Sequence, residues 1–386
     1  MSTYLRRLEM SLPAGQTAFL WGPRKVGKST LLAEVFASSK HFNLLDTRTL
    51  VRFTREPWLF AQEVMALSLA QRQLPIIVDE VQRVPALLDE VHRLIEQEGL
   101  VFLLCGSSAR KLKRGAGNLL GGRAWRFQLH PLTTREIPEF DLLRALNRGL
   151  VPSHYNSSNY SRSLNGYVLD YLKEEVFNEG LTRNIAAFSR FFDALGFSHG
   201  EILNFSSLGR DCGVDSKTVR EYFQILEDTL LGYMIEPFAR RRSRAILTRA
   251  PKFYLFDVGV AGFLSGRRIT ATEGPEFGRA FEHFVLMELI AARSYLERNW
   301  PIRYWRTKTG LEVDFVLGAA GEIAIEVKGG RIRLPDLKGI QAYVEEHRPN
   351  HAVVVSNEDE PRRVGEIDIL PWRVFLERLW TGEVGA

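Results

Sequence analysis

Nine consecutive residues near the start of the chain, Gly22, Pro23, Arg24, Lys25, Val26, Gly27, Lys28, Ser29 and Thr30, have the types and spacing needed to hold a polyphosphate. The glycines let successive backbone N–H groups curl around phosphate oxygens, and a helix starting here adds the positive end of its dipole. Lys28 then reaches the β and γ phosphates, and Ser29 ligates Mg²⁺. Further on, the apolar run Ile76, Ile77, Val78 ends in Asp79 and Glu80. A buried strand would carry Asp79 to its C-terminal tip to complete the Mg²⁺ coordination shell, with Glu80 beside it to polarise the attacking water. The next apolar run ends in Gly106, Ser107 and Ser108. Ser107 stands where a polar contact to the terminal phosphate is expected, although serines there also suit plain helix caps. Of Arg123 and Arg126, which follow, Arg123 sits after a Gly-Gly pair and should be exposed. It suits donation to the γ-phosphate of a neighbouring subunit; a solvated or salt-bridging arginine has the same signature.

A second constellation lies in the last third: Glu282, Asp314, Glu326 and Lys328. Alternation along Ile-Ala-Ile-Glu-Val-Lys puts Glu326 and Lys328 on one strand face and Val327 on the other. Carboxylates from adjacent strands can hold Mg²⁺, and a lysine beside them can orient or deprotonate a water. A half-buried strand pair with an ion-paired Glu and Lys would read the same way. Two features favour chemistry. Trp305, Arg306 and Lys308 precede the hairpin and suit a sugar-phosphate backbone, and Lys328 is an odd inward choice for a merely structural strand.

Elements that could position these residues are legible too. Between Gln16 and about Glu136, short apolar runs (TAFLW, HFNLLD, PIIVDE, LVFLLCGSS, RFQLHPL) alternate with helix-permitting segments. Such uninterrupted runs predict strands buried on both faces, hence an α/β domain with a parallel sheet. Between about Arg144 and Tyr160 the sequence turns to Pro, Ser, Asn and Gly (GLVPSHYNSSNY), which predicts a boundary loop. Beyond it, LGRDCGVDSKTVREYFQILEDTLL has the layout of a helix-turn-helix, with Asp215 or Ser216 capping a second helix whose apolar residues are Val219, Phe223, Leu226 and Leu230. Lys217, Thr218 and Arg220 open that helix, the end that meets base edges or phosphates when such a module docks, and Arg240, Arg241, Arg242 and Arg244 follow. Such modules also serve as ATPase lids or protein contacts.

At 386 residues with 45% apolar and 25% charged residues, the chain reads as a multidomain globular protein. It has no apolar run long enough to span a bilayer and no signal-peptide core, so a cytoplasmic location is expected. The two cysteines, Cys105 and Cys212, have no metal-binding spacing and predict inert thiols. A net charge of +5 permits a polyanionic partner without requiring one.

Together these motifs resemble a prokaryotic family of AAA+-like P-loop ATPases with a winged-helix middle and a C-terminal domain similar to the PD-(D/E)XK nucleases. In that resemblance Asp79 and Glu80 are the Walker B acids, Asp314, Glu326 and Lys328 the nuclease motif, and Glu282 the additional acid on the domain's first helix. It implies three domains, at 1–145, 146–265 and 266–386, with ATP and Mg²⁺ as cofactors. It also implies a homo-oligomer, in the form of a hexameric ring, and DNA recognised by its structure, such as a branch or junction, as partner. The expected function is ATP-driven movement or remodelling of DNA, as in repair or recombination, with a nuclease-like domain that binds DNA; cleavage stays open. A nucleotide-gated signalling or defence switch with a nuclease effector, and a protein-remodelling ATPase, also fit these residues.

Overall fold

The computed structural model describes residues 4–108, 120–172, 185–239 and 250–384. Arg240, Arg241, Arg242 and Arg244 lie outside the described residues. The chain divides into two compact units, Met1–Pro131 with Ile225–Leu231, and Leu132–Gln224 with Gly232–Ala386.

In the first unit the apolar runs form five strands: β1 (Thr17–Trp21), β2 (His41–Asn43), β3 (Ile76–Asp79), β4 (Phe102–Gly106) and β5 (Ala124–Gln128). All pair in parallel, in the order β2-β3-β4-β1-β5, flanked by helices that include Lys28–Val35 and Leu87–Glu98. This matches an AAA+ P-loop fold. Strands β1, β3 and β4 are buried along their whole length, which is why they read as unbroken apolar runs. The RFQLHPL run departs from that expectation. It forms the edge strand β5, paired on one side only, with Trp125 and Arg126 exposed.

In the second unit, the predicted boundary loop instead folds into short helices, Pro152–Tyr155 and Tyr160–Gly166. Pro152 occupies the first position of one, where its missing N–H costs nothing, and the Asn159 side chain accepts from Arg162 N at 3.4 Å to cap the other. The helix-turn-helix layout is present as Phe205–Cys212 and Ser216–Asp228, with Gly213 left-handed (φ 69°) between them. Asp215 is the cap, accepting from Thr218 N at 2.7 Å. Strands β6 (Gly232–Ile235) and β7 (Lys252–Leu255) then pair antiparallel. The last sheet, ordered β12-β13-β11-β10-β9-β8, comprises β8 (Ile302–Arg306), β9 (Glu312–Leu317), β10 (Ile323–Lys328), β11 (His351–Ser356), β12 (Arg362–Val364) and β13 (Ile367–Pro371). The 22-residue helix Gly274–Tyr295 contacts β10.

Two buried acids tie this unit together. Asp257, 1% exposed, accepts from Leu150 N at 2.6 Å through one oxygen and from Gly259 N and Val260 N at 3.0 and 2.9 Å through the other. Burial raises its pKa, and the backbone donors oppose that rise. The contact needs a glycine at 259, since a Cβ there would stand 2.2 Å from Gly149 N. Glu288 accepts from Thr134 N at 2.8 Å, Thr134 Oγ1 at 3.1 Å and Trp380 Nε1 at 2.7 Å. Burial outweighs these donors and lifts its pKa from 4.5 to about 7.

Gly259→Ala should therefore cost about 1–3 kcal/mol through backbone overpacking, read as a fall in unfolding free energy. Glu288 gives a signed pH dependence. Its folded pKa is raised, so its contribution is fullest below about 4.5 and is lost as pH rises through about 7. Relative to Glu288→Gln, the parent should lose on the order of 3 kcal/mol of stability between those limits in parallel denaturant titrations.

Candidate functional site

The phosphate-binding loop owes its shape to backbone that side chains resist. Lys25 (φ 64°) and Gly27 (φ 102°) are left-handed, and a Cβ on Gly22 would stand 2.5 Å from Leu129 O. Arg6 braces the loop from outside, donating to Val26 O at 2.5 Å and His130 O at 2.7 Å. Lys28 is 5% exposed, and its ammonium donates to the loop carbonyls of Gly22 and Pro23 at 2.7 and 3.0 Å. Ser29, in the first turn of Lys28–Val35, donates its hydroxyl to Asp79 Oδ2 at 2.7 Å. Both oxygens proposed for Mg²⁺ thus lie within one hydrogen bond of each other, a donor set that suits this ion. Around the loop Val26 is fully buried, Arg24 half-buried, and Lys25 and Thr30 are exposed.

At the tip of β3 the other Asp79 oxygen accepts from Glu80 N at 3.0 Å. Glu80 itself is left-handed (φ 59°), a conformation costing a non-glycine residue about 1–2 kcal/mol. One side chain absent from the sequence reading organises this corner. Gln82 Nε2 donates to Glu80 Oε2 and, at 3.1 Å, to Ser107 Oγ, joining the tips of β3 and β4. Gly106 permits it, since a Cβ there would stand 2.3 Å from Gln82 Oε1. Arg123 is exposed as expected, with Nε 2.6 Å from Glu96 Oε1.

The C-terminal constellation converges on a cavity of about 530 Å³ lined by Glu282, Asp314, Glu326 and Lys328. The β9–β10 ladder ends at the pair Phe315–Ile325, and there the Asp314 carboxylate takes the next amide, Val327 N, at 2.8 Å. Lys328 Nζ lies 2.6 Å from Glu326 Oε1, whereas Glu326 Oε2 is buried without a hydrogen-bond partner. Burial, then mutual repulsion with Glu326 and Glu282, pushes Asp314 well above the usual carboxylate range. Burial lifts Glu326 to about 7 against the pull of Lys328. Burial alone would lower Lys328, but Glu326 and Asp314 hold its pKa up. An orphaned, buried carboxylate oxygen beside a second carboxylate suits a cation, with water completing its shell.

Glu282 shares the cavity but is engaged otherwise. Its Oε1 accepts from the Tyr254 hydroxyl and lies 3.7 Å from Lys252 Nζ. Among the described residues no group of three or more His, Cys, Asp or Glu side chains is placed to hold a metal, so Glu282 does not join Asp314 and Glu326 in a three-acid cluster. Lys252, unforeseen from sequence, is 5% exposed and pairs with Glu312 at 2.5 Å. A closed hydrogen-bond ring adjoins it. Leu255 N donates to His199 Nδ1 at 3.2 Å, His199 and His283 are joined at 3.1 Å, and His283 meets Leu255 O at 2.7 Å. This circuit needs both imidazoles neutral, and burial, which lowers both pKa values, His283 to about 3, keeps them so.

Residues proposed for DNA are scattered. Lys217 and Arg220 are exposed and Thr218 is half-buried. Arg306 lines the cavity, paired with Glu312 at 2.9 Å, and Lys308 is exposed. Trp305 is a correction. It is 1% exposed, packed edge-on against Tyr343 in the core, because neighbours along β8 point to opposite faces and Arg306 takes the cavity side.

Residues 15–138 match a family described as AAA domain; residues 139–270 and 277–375 each match a domain of unknown function, DUF8612 and DUF4143. The chain is 31% identical over 323 residues to the uncharacterized protein Rv2008c of Mycobacterium tuberculosis and to Mb2031c of Mycobacterium bovis, covering 82% of this chain and 70% of each relative. Similar solved structures include the ORC1 protein of Aeropyrum pernix in complex with DNA, 14% identical with a TM-score of 0.26, covering 65% of this chain and 86% of that one. Another is a signal transduction ATPase with numerous domains from Pyrococcus horikoshii, 12% identical with a TM-score of 0.19, covering 73% and 47%. Neither likeness is close enough to carry an argument. The chain belongs to the family of the two mycobacterial proteins, and its N-terminal unit is an AAA-type P-loop ATPase domain.

Proposed function

We propose that this ATPase hydrolyses ATP with Mg²⁺ to move or remodel DNA, and that the Asp314–Glu326–Lys328 site acts on DNA phosphodiesters. The observation that carries the reading is the meeting of these three side chains at one cavity, with Glu326 Oε2 unpartnered. In the ATPase unit Lys28 would neutralise the β and γ phosphates, Ser29 and Asp79 would hold Mg²⁺, and Glu80 would accept a proton from the attacking water while Ser107 contacts the γ-phosphate. Mg²⁺ supplies charge neutralisation at the phosphates. Arg123, exposed at the subunit surface, would serve a neighbour's γ-phosphate in a homo-oligomeric ring. In the second unit Asp314 and Glu326 would hold the ion, and Lys328 would orient the hydrolytic water. Lys217, Thr218, Arg220, Arg306 and Lys308 would contact the DNA backbone.

The Gln82–Glu80 hydrogen bond favours a second reading, a nucleotide-gated switch in which Gln82 restrains the carboxylate until the domain changes state.

Glu80→Gln should lower ATP turnover by about 10²-fold or more with nucleotide affinity retained. On the motor reading Gln82→Ala also lowers turnover, roughly tenfold, because Glu80 loses its orienting donor; a rise would select the switch. Asp314→Asn, assayed with Mg²⁺ on linear, forked and junction DNA, should abolish cleavage and leave ATP turnover intact. DNA-independent turnover together with no binding to any of these DNAs at low salt would sink the DNA reading.

A further inference from the structure

The cavity that holds Asp314, Glu326 and Lys328 has a rim that the phosphodiester reading does not use. Phe197, in the last turn of the helix Ile185–Ser198, lies in its lining and is 79% exposed. Exposure of a phenyl ring to this extent forgoes most of the burial that a phenylalanine ordinarily gains. Its position is fixed by the backbone. The preceding Gly196 is buried so tightly against the helix Val258–Leu264 that a Cβ there would stand 2.5 Å from Leu264 O, so the last turn cannot rotate to hide the ring.

Cations share this lining with the ring and the carboxylates. Arg267, whose Nη2 donates to Val258 O at 3.0 Å, Arg279 and Arg306 all line the same cavity. Arg279 lies on the helix Gly274–Tyr295 at the three-residue spacing that sets Glu276, Arg279 and Glu282 along one face. Acids in the lining outnumber cations by one, six to five, so a divalent cation at Asp314 and Glu326 would turn the cavity's net charge positive. An exposed aromatic ring beside an arginine-bearing cavity that a bound cation would make positive is the arrangement suited to unpaired nucleic acid, in which the backbone follows the charge and a base lies on the ring. Bases inside a duplex are stacked on both faces, so a continuous duplex offers Phe197 a free base face only at its ends, whereas an unpaired strand offers one at each unstacked base.

We propose that Phe197 is a base-stacking platform and that the cavity binds single-stranded nucleic acid, or a strand splayed from a duplex end, in preference to continuous duplex. The arginines Arg267, Arg279 and Arg306 track the adjoining phosphates. This rests on the reading of Asp314, Glu326 and Lys328 as a phosphodiester site, and it adds the strandedness of what enters there.

The test uses the full chain, with Ca²⁺ in place of Mg²⁺, in fluorescence anisotropy titrations of a single-stranded oligonucleotide carrying one 2-aminopurine and of the matching duplex. Phe197→Ala, Phe197→Leu and Phe197→Trp are compared with Arg306→Ala. Phe197→Ala and Phe197→Leu should weaken single-strand binding by about 5- to 150-fold, the range for loss of one stacked base, and leave duplex binding unchanged. Phe197→Trp should retain it, with the 2-aminopurine emission quenched on binding. Single-strand affinity within twofold of the parent in Phe197→Ala, while Arg306→Ala loses binding, would overturn the stacking platform and leave the phosphodiester reading standing. Failure of the parent to bind either nucleic acid would overturn both.

Discussion

A charged group carried into the interior by a strand must meet donors, meet a counter-charge or give up its charge, and this constraint shapes both units. In the first, Asp79 meets the Ser29 hydroxyl with one oxygen and the Glu80 amide with the other. In the second, Asp314 takes the amide that the β9–β10 ladder leaves over, and Glu326 has Lys328 on one oxygen and nothing on the other. Asp257 and Glu288 meet the same demand with backbone and side-chain donors alone, and they hold the fold together. The difference is informative: structural acids are fully satisfied on both oxygens, whereas Glu326 keeps one in reserve.

The two sites also differ in how they are assembled. The nucleotide corner draws on neighbouring strand tips of one parallel sheet, so its parts are delivered by the sheet's own connectivity and joined by Gln82. The second cavity collects residues from β7, β8, β9, β10, the helix Gly274–Tyr295 and the end of Ile185–Ser198. Lys252 sits among four ionisable neighbours, and the attraction of Tyr254, Glu282, Asp314 and Glu312 overrides a burial that would otherwise strip its proton. A buried cation of this kind offsets the mutual repulsion of the acids around it.

What could be read from sequence follows from locality. The phosphate loop, Asp79 and Glu80, and the Glu326–Lys328 alternation are contiguous patterns whose geometry is set by one turn or one strand, and the structure places Ser29 against Asp79 and Lys328 against Glu326 accordingly. Gln82 was illegible because its partner Ser107 lies 25 positions away and reaches it only through strand order. Lys252 had a faint signal, a lysine at the head of the apolar run Phe-Tyr-Leu-Phe, whose meaning depends on acids from other elements. Trp305 and Arg306 are adjacent in sequence, but a strand sends neighbours to opposite faces, so the indole is buried while the guanidinium lines the cavity. Between about Arg144 and Tyr160 the composition is that of a loop, yet Pro152 and Asn159 are equally residues that start helices, and they do so here.

The ring formed by Leu255, His199 and His283 has a direction, since each member donates to the next. Replace one histidine and the other is left with a nitrogen facing the wrong kind of partner, so neither can drift alone. The two positions should behave in inheritance as a single character: among lineages that share this fold, 199 and 283 are expected to be kept as a pair or exchanged as a pair. Comparing many such chains would show this imprint even where the rest of the cavity has diverged.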